Sequence, residues 1–237
     1  MSNEILLFLS LFLAFGLVTL SFKLFGKLGL VASMVLAIIS SNIEVLILVD
    51  AFKMEQTLGN VIFASTFLVT DIISELYGKK EAKKVVHIGI FIALSFTVVS
   101  QYWLLYTPSA NDWAFESISS LFSMVPRITL ASLSVMAICQ RFDVWLYHKI
   151  WSFTENKNKD KRSMLWLRNN GSTLVTQAFN AILFTLGAFA FTEGYDGETL
   201  KSIMLSSYVI FVITSISDTP FVYLARFIHE NRKEAID

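Results

Sequence analysis

The chain has 237 residues, of which 54% are hydrophobic and only 16% charged, with a formal net charge of zero and a mean hydropathy of +0.60. A soluble domain carries about a quarter charged residues, so the composition excludes an ordinary water-soluble fold. The lone cysteine, Cys139, excludes an internal disulfide framework and a cysteine metal cluster.

From the N-terminus, the chain meets Glu4 rather than a basic cluster. The apolar run 5–22 then reaches Lys23 and Lys27 without a small-residue cleavage site, so a retained span is expected there. Apolar periodicity predicts further spans, giving 4–23, 29–49, 59–77, 84–106, 127–150, 171–192 and 203–227. Unpaired backbone is not tolerated in lipid, so each is expected to be a helix. In the fifth, the apolar part ends at Cys139, but Trp145, Leu146 and Trp151 continue an amphipathic pattern into the interface. Three prolines and ten glycines leave no flexible linker, so residues 1–237 are expected to form one transmembrane domain.

Positive residues orient the spans. With this partition, sixteen of the nineteen Lys and Arg residues fall on one side, including Lys79, Lys80, Lys83 and Lys84 after the third span. The opposite side holds only Lys53, Arg127 and Lys201. The expectation is a multi-pass protein of the cytoplasmic (inner) membrane, with its N-terminus outside and its C-terminus in the cytoplasm.

Ionisable groups inside a span are costly and normally face a partner or a cavity. In the third span, Asn60, Phe67, Asp71 and Glu75 follow the spacing of one helical face. At 1.5 Å per residue Asp71 lies about 9 Å inside the Tyr77 end, within the hydrocarbon, whereas Glu75 is near the boundary and within reach of Lys79 at i+4. In the sixth span Asn169, Thr173, Gln177 and Asn180 share a face above Ser172. Their amides suit either a binding site or simple helix–helix adhesion. The fifth span adds Arg127, Ser132, Gln140 and Asp143; the seventh adds Asp218 and Thr219 before Pro220, and the second adds Asn42. A proline inside a helix frees a carbonyl one turn back. Polar faces on so many spans point to one solute-binding cavity.

Catalytic patterns are missing: there is no HExxH, GxSxG, Walker loop or Rossmann glycine pattern, and His87, His148 and His229 are scattered. No catalytic residue, metal site or cofactor is expected. The partners implied are a small-molecule solute and the lipid bilayer, not nucleic acid; a homo-oligomer is compatible with the sequence.

The stretch "NVIFASTFLVTDIISELYGKKEAKKVV" resembles the characteristic segment of the queuosine precursor transporter family, also called the vitamin uptake transporter family. "RITLASLSVMAICQRFDVWLYHKI", "RNNGSTLVTQAFN" and "DTPFVYLARF" are similar to its later helices, so the likeness spans roughly 29–227. The resemblance implies a six-helix core similar to the substrate-binding subunits of energy-coupling-factor importers, with residues 4–23 as an added helix. It implies import of a 7-deazaguanine, in the 7-cyano or 7-aminomethyl form, for tRNA modification. The matching positions are Asn42, Asp71, Glu75, Arg127, Ser132, Gln140, Asp143, Ser172, Thr173, Gln177 and Thr219. Two departures stand out: relatives place an Asp where this chain has Asn180, and a Lys near Ile210 and Phe211. Loss of a pair would be neutral; a different ligand is the other explanation.

Such a ligand suits these side chains. A guanine-like edge presents a ring N–H beside an amine, and a carboxylate accepts from both, a role open to Asp71, Asp143 or Glu75. Gln140, Gln177 or Asn180 would serve the opposite edge. Phe67, Trp103 and Phe142 are stacking candidates, at about 1–3 kcal/mol per base in nucleic-acid binders. Another flat heterocycle or vitamin, or a role as the binding subunit of a larger energised importer, fits the same features.

Overall fold

The computed structural model describes residues 2–44, 47–52, 54–123, 126–158, 165–190 and 196–234. In chain order the elements are α1 (Asn3–Phe25), α2 (Lys27–Glu44), β1 (Leu48–Ala51), β2 (Met54–Thr57), α3 (Gly59–Tyr77), α4 (Lys79–Trp103), α5 (Phe115–Ser123), α6 (Pro126–Asn158), α7 (Leu165–Phe189) and α8 (Gly197–Glu234). This is an all-α membrane bundle carrying one small hairpin. Among the described residues five helices are long and apolar enough to cross a membrane: α1, α2, α3, α4 and the Ser207–Asn231 part of α8. α6 and α7, of 33 and 25 residues, have the length but a more polar sequence.

α1 shows why the outside is lipid-compatible. It is apolar around its circumference, so it buries Leu11, Phe15, Val18 and Phe22 while leaving Leu9, Phe12, Leu13 and Leu20 exposed. α3 is the axis of the bundle. It packs against α1, α2, α4, α6 and α8, and every residue from Ala64 to Ser74 is buried. Its hydroxyls settle their own bonds locally: Ser65, Thr66 and Thr70 donate to carbonyls one turn back, at 2.6, 2.7 and 2.9 Å. α7 packs between α6 and α8 and closes the interior from the other side.

Gly26 (φ 62°) and Gly78 (φ 83°) make the α1–α2 and α3–α4 turns. Both conformations disfavour a side chain. The two turns lie at one end of the bundle, where Lys27 pairs with Glu81 and stands 5.6 Å from the centre of the Tyr77 ring. The opposite end carries the hairpin. There Asn3 donates to the Asp50 carbonyl (2.9 Å), and the Phe52 amide donates to Glu4 (3.2 Å).

The second span differs from its expected range. Its helix stops at Glu44, and residues 48–51 pair antiparallel with 54–57 instead. Outside the hydrocarbon a ladder satisfies the backbone as well as a helix does, and β-branched and other apolar residues near Val49 accept it. The short amphipathic helix α5 was likewise not legible as a span. α6, by contrast, runs unbroken through Gln140 and Asp143 to Asn158, as the pattern beyond Cys139 implies.

Close packing of α1 on α2 rests on Gly29. A Cβ there would collide with the Ser21 carbonyl and lie 2.8 Å from the Ser21 hydroxyl, whereas one at Gly16 would meet nothing within 4 Å. Gly29→Ala should therefore cost about 1–3 kcal/mol as an overpacking change, and Gly16→Ala should not destabilise. Thermal unfolding of the detergent-solubilised variants checks the difference.

Candidate functional site

Polar side chains form four layers along α3. The outermost is a cleft of about 660 Å³, counting its open mouth, between α2, α3, α6, α7 and α8. Asn42, Asn60, Ser132 and Asn180 supply its polar wall, and Phe63, Phe184 and Phe211 its apolar one. Such a mixture, few polar groups among aromatic ones, is the usual make-up of a small-molecule site. Asn180 and Phe211 thus line one space.

One turn deeper, amides link the helices. Gln140 donates to the Thr66 hydroxyl (2.6 Å), joining α6 to α3, while within α7 Asn180 donates to the side-chain oxygen of Gln177 (2.8 Å). Phe67, 1% exposed, packs here with Val135 and Cys139 and meets Phe63 edge-on.

The third layer lies about 12 Å below Phe63, eight residues along α3. Asp71, Asp143 and Asp218 come from α3, α6 and α8 and are at most 2% exposed. Thr173 donates to Asp71 Oδ2 at 3.3 Å. Asn169 donates to Asp218 Oδ1 at 2.9 Å, and Asn170 to the Thr219 hydroxyl at 2.7 Å. Asp143 faces Asp71, Ser172, Thr173 and Thr176. Even so, Asp71 Oδ1, both Asp143 carboxylate oxygens and the Gln140 and Asn169 side-chain carbonyl oxygens have no well-placed donor. Acceptors therefore outnumber donors in a space where an unmet acceptor is expensive. A guest rich in N–H groups would supply what is lacking.

The fourth layer closes the bundle. Glu75 receives the Tyr147 hydroxyl at 2.9 Å and pairs with Arg226 at 3.3 Å, which ties α3 to α6 and α8. Arg226 also reaches Glu230 at 3.4 Å. Glu75 is thus part of an interhelical lock rather than a group lining the cleft.

Of the stacking candidates, Phe142 lies on Trp145 (5.6 Å, 27°) and edge-on to Phe179, half-buried. Trp103 stands apart from the polar layers: it is 41% exposed at the end of α4, against Phe96 and Phe122. The side chain of Arg127 falls outside the described residues. Thr66, Tyr147, Asn170 and Arg226 belong to the layers but were not singled out from sequence. Tyr147 had a signal, since it follows Gln140 and Asp143 on one face of α6.

Comparison with known proteins comes to the same kind of molecule. A family model described as "Putative vitamin uptake transporter" matches residues 57–225. A "Probable queuosine precursor transporter" of Bacillus subtilis (strain 168) is 35% identical over 212 residues, 90% of each chain. A protein of the same description from Haemophilus influenzae is 27% identical over 99 residues, 42% of this chain and 41% of that one. No solved structure matches.

The lock gives an asymmetric prediction. Breaking a buried ion pair by removing one partner costs about 3–5 kcal/mol. Arg226→Ala should approach that loss, because it strips the cation from a carboxylate whose side chain is 5% exposed. Glu75→Gln should cost less, because Arg226 keeps Glu230. Unfolding midpoints of the two variants decide it.

Proposed function

This chain belongs to the vitamin uptake transporter family, and from that premise we propose that it imports a queuosine precursor, a 7-deazaguanine carrying a cyano or aminomethyl group. Membership in a transporter family agrees with the reading of the chain as no enzyme. The reading is carried by one observation: an acceptor-rich interior of three aspartates and several amides lies beneath a cleft walled by phenylalanines. The heterocycle is flat, its guanine edge offers adjacent N–H donors, and its faces suit aromatic walls.

In this account α1, α2, α3, α4, α6, α7 and α8 all cross the cytoplasmic membrane, with the N-terminus outside and the C-terminus inside. α2 to α8 form the core, similar to the binding subunits of energy-coupling-factor importers, and α1 is the added helix. The alternation of ends supports it: the hairpin meets the start of α1 at one end, and the Gly26 and Gly78 turns meet at the other. The solute enters the cleft among Asn42, Ser132 and Asn180. It passes Gln140 and Gln177 and reaches Asp71, Asp143, Ser172, Thr173, Asp218 and Thr219. Glu75 and Arg226 part to release it inward. A homo-oligomer is not needed for this path.

Purified protein should bind 7-cyano- and 7-aminomethyl-7-deazaguanine in preference to guanine and riboflavin, by calorimetry. Asn180→Ala should weaken binding about tenfold, the worth of roughly 1.4 kcal/mol, and Trp103→Ala should leave it unchanged. Binding of riboflavin but of neither deazaguanine would overturn the substrate assignment.

A further inference from the structure

Asp71 and Asp143 lie on different helices, face each other, and keep three carboxylate oxygens between them without a hydrogen-bond partner. We propose that this pair is a proton-binding site that couples uptake to the proton gradient. The inference rests on the import reading above and adds the coupling ion.

The surroundings define what the pair needs. Asp218 on α8 is close enough to act on both, and it adds a third negative group. Thr173 on α7 serves Asp71 Oδ2, and Asn169 on α7 serves Asp218. Cys139, one turn before Asp143 on α6, is buried and offers no charge to balance it. Below lie Glu75, Tyr147 and Arg226, bonded to one another, with Arg226 also held by Glu230. Among the described side chains, no lysine, arginine or histidine is one of the groups acting on Asp71.

Asn169, fully buried and bonded to Asp218, also keeps its amide oxygen without a partner. It is a second sign that the space expects a donor. Two like charges this close repel strongly where the dielectric is low. A proton between them removes one charge and supplies the donor that the free oxygens lack. Among the described residues no set of three His, Cys, Asp or Glu side chains is disposed to hold a metal ion.

Geometry also gives the proton a route and a consequence. It arrives through the cleft past Asn180 and Gln177, on the same path as the solute. With one charge removed, α3 and α6 can close around the layer; with the proton lost to the cytoplasm, they separate again. One proton enters and one leaves per cycle, so the site returns to its starting state.

The test uses the full chain in proteoliposomes held at zero membrane potential by valinomycin and equal potassium on both sides, with labelled 7-cyano-7-deazaguanine, a neutral probe whose uptake with one proton moves one charge. An inside-alkaline gradient of one pH unit should raise accumulation about tenfold over its absence, the ratio set by one proton per solute. In Asp143→Asn and in Asp71→Asn that ratio should fall to about one, whatever their exchange rates. Wild-type exchange that ignores the pH gradient, or follows a sodium gradient instead, overturns the coupling. An undiminished ratio in both variants does so too. Failure of the wild type to exchange the probe at all overturns the import reading beneath it. The wild-type ratio decides the matter even if a variant fails to fold.

Discussion

Carboxylates within a bilayer-spanning bundle have one place to go. Asp71, Asp143 and Asp218 come from three helices far apart in sequence, yet each is at most 2% exposed and each turns toward the same layer. Lipid cannot solvate them, so the helices turn the acids into the interior. The result inverts a soluble fold: the circumference of α1 is apolar, and polarity is concentrated along the axis formed by α3. Packing of α3 against five other helices follows from that demand, because donors and acceptors must arrive from several directions at once.

Order along the axis gives the site its direction. At one end the cleft among Asn42, Asn60, Ser132 and Asn180 is open; at the other, Glu75, Tyr147 and Arg226 bind α3, α6 and α8 together. Between them the amides of Gln140 and Gln177 form a neutral step from the open space to the acids. From the cleft inward, neutral amides come first and the carboxylates last. The lock is a set of polar side chains distinct from the apolar core that Leu68, Ile72 and Ile73 form with α1, α2 and α4. This arrangement permits opening at one end while the other stays packed, which alternating access requires.

Much of this was legible in the sequence because the bilayer is a strict solvent. A charged residue in an apolar run can hardly face lipid, so the inward orientation of Asp71 followed from composition and helical period alone. Helical period likewise grouped Asn169, Thr173, Gln177 and Asn180. Two kinds of feature escaped. The hairpin of β1 and β2 is the first, because the apolar run near Val49 does not by itself distinguish helix from strand. Partner choice is the second: Glu75 had Lys79 one turn away in sequence, but tertiary packing set Arg226 and Tyr147 beside it. Arg226 itself was counted only as one of the positive residues that orient the chain. Trp103 shows the converse error, since aromatic character alone says nothing of which side of a helix meets the interior.

The central claim, a cleft open to the outside that admits a planar solute toward buried acids, is tested most directly by thiol accessibility. Ser132→Cys, in a Cys139→Ala background, places a single thiol on the cleft wall. A membrane-impermeant thiol reagent added outside intact cells should label it, and a 7-deazaguanine should slow that labelling. Labelling only from the cytoplasmic face, or a rate that the solute does not change, would contradict the account.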